Sequence, residues 1–125
     1  AEAGLKRLGL SDRIAYRFSP EELVPAAGQG ILAIQTRAGE YADLLARLNS
    51  PDGALCAKTE RQLASLLGGD CSAPVGCHAQ LHGTDMTLYG FSGIGGVPRY
   101  GSVQGNRNDA DLLVQQLASK LTIAE

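Results

Sequence analysis

The spacing of apolar residues predicts two helices in the middle of the chain. Apolar side chains recur on one helical face, at Tyr41, Leu44, Leu45 and Leu48. A second helix is predicted to begin at Pro51, because Ser50 is a favoured N-cap residue and proline is favoured at the first helical position. Its buried face is predicted to comprise Leu55, Thr59, Leu63 and Leu66 or Leu67. Gly68 and Gly69 are expected to end this helix.

After residue 74 the pattern changes to the strict alternation that is typical of strands. One face of the first strand is predicted to carry Val75, Cys77, Ala79 and Leu81, and the other Gly76, His78, Gln80 and His82. Two more strands are predicted at residues 86–92 and 99–104. Because short turns join all three strands, we expect them to pair antiparallel.

A final helix is predicted after the third strand. Asn108 is the expected N-cap residue, and Asp111 is placed as its partner in a capping box. The buried face is predicted to comprise Ala110, Leu113, Val114, Leu117 and Leu121. Residues 50–125 are therefore predicted to form an α+β domain, in which helices cover one face of a three-stranded antiparallel sheet.

Residues 1–49 are predicted to be a partial α/β segment that precedes this domain. Residues 1–8 resemble the end of a helix that stops at Gly9, and no N-cap residue precedes it. Residues 14–18 alternate as a strand does, and the apolar run 31–36 predicts a mostly buried strand. Between them, residues 25–30 form a turn with two glycines. We expect the chain to be the C-terminal portion of a longer protein.

Composition excludes several classes of function. The formal net charge is −2, so no overall positive field favours nucleic acid. No apolar run approaches the roughly 20 residues that span a bilayer, and no basic start is followed by an apolar stretch. Three cysteines without a secretory signal predict reduced thiols in the cytoplasm.

Cys71 lies on a glycine-rich connection between the second predicted helix and the first strand, and it has two interpretations. It is either a half-buried loop cysteine or a functional sulfur held on an open loop, as a nucleophile or an attachment point. The neighbouring carboxylate of Asp70 is expected to raise the pKa of the thiol. That argues against a thiolate that turns over continuously and is compatible with a thiol that reacts once and stays bonded.

The other polar candidates have mainly structural interpretations. Cys56 and Cys77 are expected in the core, His78 and His82 in solvent, and Glu60 with Arg61 as a surface pair. A zinc site built from Cys71, Cys77 and His78 stays an alternative, although its spacing matches no common ligand pair. Lys6 and Arg7 either lie on a solvated helix face or bind the carboxylates of a ligand. The backbone of Gly28 and Gly30, with Gln29, is a candidate lining for a ligand groove.

These residues fall into blocks with a recognisable order. The blocks are Ala3-Gly4-Leu5-Lys6-Arg7-Leu8-Gly9-Leu10, Arg13-Ile14, Pro25-Ala26-Ala27-Gly28-Gln29-Gly30 with Ile34 and Arg37, Glu60-Arg61, Gly69-Asp70-Cys71, and Pro74-Val75-Gly76 with Ala79. In this order, across nearly the whole chain, they make it resemble the C-terminal part of the porphobilinogen deaminases (hydroxymethylbilane synthases). The resemblance departs at Asp70, where the family usually has glycine.

The resemblance implies a cytoplasmic transferase of tetrapyrrole, porphyrin and heme biosynthesis. Four porphobilinogen units are added head to tail to a dipyrromethane cofactor, ammonia is released at each addition, and hydroxymethylbilane is cut off. Cys71 corresponds to the cysteine that holds this cofactor through a thioether. Arg7, Gln29 and Gly30 correspond to residues that bind cofactor or substrate, and the resemblance assigns no metal ligand.

The resemblance also divides the chain into parts of a three-domain protein. Residues 1–49 correspond to the tail of the second domain and to the strand and linker that return through the first. Residues 50–125 correspond to the third, cofactor-carrying domain. The catalytic aspartate belongs to an N-terminal portion outside this chain, so no catalytic residue is assigned here. The chain alone is expected to be inactive, and the full-length protein is expected to be a monomer.

One alternative from another class stays open. Since 125 residues show no acid–base catalyst, the chain is alternatively a non-catalytic binding module that reuses the deaminase third domain.

Overall fold

The computed structural model describes residues 2–68 and 72–122. Within these ranges four helices and three strands follow one another along the chain. They are α1 (Glu2–Arg7), α2 (Ala42–Leu48), α3 (Pro51–Leu66), β1 (Val75–His82), β2 (Asp85–Ser92), β3 (Arg99–Asn106) and α4 (Ala110–Leu121), with 3-10 turns at Ser11–Arg13, Ile94–Gly96 and Arg107–Asp109. No helix in the described part of the chain is long and apolar enough to cross a membrane.

The predicted fold class is confirmed. The strands form one antiparallel sheet in the order β1-β2-β3, and α3 and α4 pack on the same face of it. Within the sheet, Val75 pairs with Ser92 and Ser92 with Arg99, so these three residues form one row across one end. The core lies between this face and the two helices, and it includes Leu63, Met86, Leu88, Val114 and Leu117.

The helix α3 begins as the sequence predicts. The side chain of Ser50 accepts a hydrogen bond from the backbone nitrogen of Gly53 at 3.1 Å, and Pro51 occupies the first helical position. Of the two leucines predicted for its last buried position, Leu67 is buried and Leu66 is 45% exposed. The core is therefore reached by Leu67, the residue that directly follows the helix.

The helix α4 buries the predicted face, but its start differs from the prediction. The prediction that Asn108 and Asp111 form a capping box is wrong, because no side chain caps the first turn of this helix. Asn106 instead caps the preceding 3-10 turn by accepting from the backbone nitrogen of Asn108 at 2.9 Å. Asp111 accepts a hydrogen bond from Gln62 at 3.1 Å, so its carboxylate links α4 to α3.

Glycines on β2 and β3 let α4 lie close against the sheet. An added Cβ at Gly90 would lie 2.5 Å from a methyl carbon of Leu121, and one at Gly105 would lie 2.9 Å from a methyl carbon of Leu113. The absence of side chains at these positions therefore determines how near the helix can come.

The prediction of two strands before residue 50 is wrong. Residues 14–18 and 31–36 run without strand pairing, and the second segment, predicted to be mostly buried, leaves Leu32 94% exposed. A strand requires a hydrogen-bonded neighbour, and no described residue of this chain supplies one to either segment. In the first segment, Tyr16 and Phe18 pack edge to face on each other, with ring centroids 5.1 Å apart.

Candidate functional site

The turn at residues 25–30, which we call the 25–30 turn, has a conformation that requires its glycines. Gly28 and Gly30 have φ values of 76° and 85°, in the left-handed region that other residues rarely adopt. The backbone nitrogen of Gln29 donates to the oxygen of Ala26, and the Gln29 side-chain oxygen accepts from the nitrogen of Ala26 at 3.3 Å. The side chain of Gln29 thus stabilises its own turn.

The 25–30 turn and the residue before it lie against the free edge of β1. The oxygen of Pro25 accepts a hydrogen bond from the backbone nitrogen of Cys77 at 2.8 Å. A Cβ at Gly76 would lie 2.6 Å from the oxygen of Val24, so only glycine permits this approach. An unpaired strand edge exposes backbone donors, and here the earlier segment satisfies one of them.

Glu60 of α3 joins this turn to the sheet. Its carboxylate accepts hydrogen bonds from the backbone nitrogens of Gly28, at 2.7 Å, and Ala79, at 2.8 Å. The residue is only 2% exposed, so its expected role in a surface pair is wrong. The sequence contained one indication that Glu60 is buried. The residue follows Thr59 and lies one turn after Cys56, next to the helix face that is predicted to be buried. A carboxylate can stay buried there because hydrogen bonds replace its water.

His78 is the second polar group at this junction. Its Nδ1 atom lies 3.4 Å from Oε1 of Glu60, its side chain is 27% exposed, and its ring stacks on Tyr89. The expectation that His78 is simply solvated is therefore wrong, because the edge of β1 places it beside the carboxylate. His82, four residues further along the strand, is exposed as expected.

The pKa of Glu60 is the balance of two opposing effects. Burial raises the pKa of this carboxyl group, whereas hydrogen bonds from His78 and from the backbone of Ala79 and Gly28 lower it, and the net pKa lies below its usual value. The carboxylate form is thus the one that the structure stabilises.

The two described cysteines are poor candidates for covalent chemistry. Cys77 is fully buried, as predicted, and burial together with the charge of Glu60 raises the pKa of its thiol to about 12. Cys56 is half-buried against the core, and burial, with Glu60 and Asp52 nearby, raises the pKa of its thiol despite the opposing charge of Arg107. Cys71 lies outside the described residues.

The remaining predicted site residues lie on different elements. Arg7 is exposed at the end of α1 and makes no ion pair with any residue that the structure describes, whereas Lys6 pairs with Glu2 at 2.6 Å. No hydrogen bond or ion pair between described residues joins Arg7 to Gln29 or Gly30. The structure therefore leaves Arg7 available to a ligand but does not bring it to the 25–30 turn.

Gly30 lines an open groove between the segment that follows the turn and the helices α2 and α3. The groove has a volume of about 960 Å³, with walls that are mainly apolar and include Ile34, Leu45 and Ala57. Arg61 is the one charged side chain among its described lining residues. Pyrrole rings that carry carboxylates need apolar walls together with cations and amide donors. The lining of this groove fits such a group chemically, whereas Arg7 is not among the lining residues.

The described residues offer no cluster for a metal. In the ranges 2–68 and 72–122, no three His, Cys, Asp or Glu side chains come together as a metal site would require. Of the ligands in the alternative zinc site, Cys77 is buried in the core and His78 faces Glu60.

Comparison with known proteins gives consistent matches along the chain. Residues 1–44 match the family model described as porphobilinogen deaminase, dipyromethane cofactor binding domain, and residues 54–122 match porphobilinogen deaminase, C-terminal domain. The porphobilinogen deaminases of Thiobacillus denitrificans and Chromobacterium violaceum are 43% and 45% identical to this chain. Both matches cover 97% of this chain but only 41% and 40% of the relative. The chain therefore spans about two fifths of the length of the curated relatives it matches.

Proposed function

This chain belongs to the porphobilinogen deaminase family, and we propose that it is the C-terminal part of a transferase that makes hydroxymethylbilane from porphobilinogen. The enzyme joins four porphobilinogen units head to tail and releases ammonia at each addition. The observation that carries this proposal is the match of two deaminase family models, in order, to residues 1–44 and 54–122. The catalytic aspartate and the opposite wall of the cleft are assigned to the N-terminal part of the same polypeptide.

We assign residues 1–49 to the tail of the second domain and the return strand and linker, and residues 50–125 to the C-terminal domain. Two observations support this division. The buried core comprises residues between Leu63 and Leu121, whereas large apolar side chains such as Phe18, Leu32 and Ile34 lie exposed before residue 50. Exposed apolar segments of this kind fit a chain whose neighbours are other domains of the same protein.

We assign the dipyrromethane cofactor to Cys71, through a thioether. The properties of the other two thiols support this choice, because both are at least half-buried and both have a raised pKa. The connection from α3 to β1 that carries Cys71 has the left-handed Gly68 at one end and the exposed Ser72 near the other. When bound, dipyrromethane supplies the free pyrrole end to which new units are added.

The residues of this chain bind and orient the pyrroles. Each ring carries two carboxylates, so the growing product accumulates negative charge. The guanidinium of Arg7 is assigned to these carboxylates, because arginine offers two parallel donors in the geometry that a carboxylate accepts. Gln29 and Gly30 are assigned to the cleft lining, where the 25–30 turn holds them in a defined conformation. The full-length protein is proposed to act as a cytoplasmic monomer.

Intact-mass measurement tests the assignment to Cys71. The full-length protein should exceed its sequence mass by one dipyrromethane. Cys71→Ser should remove this increment together with activity, whereas the control Cys56→Ser should retain both. Active protein with an unmodified mass would exclude the proposal. A full-length protein that is folded, unmodified and inactive would favour the binding-module alternative.

A further inference from the structure

One buried charge contacts the 25–30 turn. Each carboxylate oxygen of Glu60 accepts a backbone N–H, one from Gly28 in the turn and one from Ala79 on the edge of β1. Charged side chains are rarely this buried unless their hydrogen bonds are satisfied. Helix, sheet and turn thus share one carboxylate.

His78 adds a group that becomes cationic when its imidazole binds a proton. Its Nδ1 atom lies 3.4 Å from Glu60 Oε1, longer than the 2.7–2.9 Å typical of charge-assisted hydrogen bonds. Since 27% of the side chain is exposed, a proton from solvent can reach it. An imidazolium in this place attracts the carboxylate, whereas a neutral imidazole adds little.

The other titratable groups at the junction are two thiols and one phenol. The thiols of Cys56 and Cys77 are near Glu60, and burial raises the pKa of each, so both stay neutral. The ring of Tyr89 stacks on His78 from β2. Among described residues, His78 is the side chain within ion-pair distance of Glu60 that can become cationic.

We propose that Glu60 is a positioning residue for the 25–30 turn. Protonation of His78 strengthens the interaction of Glu60 with this turn, so the placement of Gln29 and Gly30 depends on pH. His78 takes its proton from solvent, and Nδ1–H then donates to Oε1 of Glu60. The inference rests on the proposed function in one respect, namely that this turn lines the cleft.

Amide hydrogen exchange measured by NMR on the full chain tests the role of Glu60. In Glu60→Ala, both acceptor oxygens are removed, so Gly28 and Ala79 each lose a hydrogen-bond partner. We expect the protection factor of the Gly28 amide to fall about tenfold or more, as for loss of a hydrogen bond to a charged group. Core amides such as Val103 should change far less. Unchanged protection at Gly28 would overturn the proposal.

His78→Asn tests the pH dependence without removing the buried carboxylate. In the wild type, we expect protection at Gly28 to be about threefold greater at pH 5.5 than at pH 8, the size expected for a partly exposed ion pair. His78→Asn should abolish this difference. His82→Asn, which removes the other histidine of β1, should retain it. A pH effect that survives His78→Asn or disappears in His82→Asn would overturn the role of His78.

In the full-length enzyme, a positioning role has a kinetic signature. Glu60→Ala should raise KM for porphobilinogen more than it lowers kcat, with the cofactor still on Cys71 by intact mass. A fall in kcat at constant KM would count against positioning. Since hydrogen exchange does not require a loaded cofactor, its outcome stands even where the assignment to Cys71 fails.

Discussion

The carboxylate of Glu60 lies 2.7 Å from the backbone nitrogen of Gly28, 32 positions earlier in the chain. This contact connects a helix of the C-terminal domain to a turn of the segment that precedes it. The same carboxylate holds the edge of β1 at Ala79. One carboxylate therefore accepts hydrogen bonds from both parts of the chain at their junction.

Acid should lower the free energy of unfolding, partly because it protonates Glu60. Its folded pKa is lowered below the ordinary value of 4.5, so the folded state binds this proton less tightly than the unfolded state. The stabilisation is complete above the unfolded pKa and is lost as pH falls through the folded pKa. Urea unfolding from pH 3 to 7 should show a smaller dependence on pH in Glu60→Gln than in the wild type. Equal slopes in the two proteins would contradict the lowered pKa.

The thiol of Cys77 should be almost inert while the protein is folded. A pKa of about 12, against an ordinary value of 9.0, leaves about a thousandfold less thiolate near neutral pH. In a Cys71→Ser background, iodoacetamide labelling followed by mass spectrometry should leave Cys77 unmodified in buffer and label it in urea. Cys56 should label at an intermediate rate, since it is only half-buried. Rapid native labelling of Cys77 would show that the core opens at β1.

Gly90→Ala should destabilise the protein by pushing α4 away from the sheet. The new Cβ would lie 2.5 Å from Leu121 and 3.1 Å from Leu117, so side chains or the helix must shift. We expect a loss of about 1–3 kcal/mol in the free energy of unfolding, the usual cost of overpacking a core. Gly4→Ala, where no atom lies within 4 Å, is the matched control. The comparison is made by urea denaturation, and equal midpoints would contradict the close approach of α4.

Residues 1–125 alone should not convert porphobilinogen. Catalysis by proximity and electrostatic stabilisation needs groups on both sides of the bound substrate, and this chain spans only about two fifths of its relatives. A standard assay for ammonia or hydroxymethylbilane should detect no product above a blank with the chain alone. Adding the N-terminal part of the polypeptide is the positive control. Turnover by the chain alone would contradict the proposed domain assignment.

Local patterns predicted most of residues 50–122. The alternation from Val75 to Leu81 placed Cys77 in the core, and Ser50 with Pro51 marked the start of α3. These signals are local, because side chains two residues apart on a strand share a face whatever the strand contacts. The same reasoning failed at residues 31–36, where an apolar run has no strand partner among described residues and Leu32 is exposed. The assignment of Arg7, Gln29 and Gly30 to a ligand stays a prediction.

The amino-acid sequence by itself determined the α+β class, the three strands and the buried faces of α3 and α4, whereas the apolar face predicted for α2 is exposed at Tyr41, Leu44 and Leu48. Only the tertiary structure decided that Glu60 is buried and that His78 faces it. The reason is physical: whether a charged side chain can leave water depends on the donors it meets. Those donors, the N–H groups of Gly28 and Ala79, belong to segments 32 and 19 residues away. They meet one carboxylate only after the chain has folded back on the edge of β1.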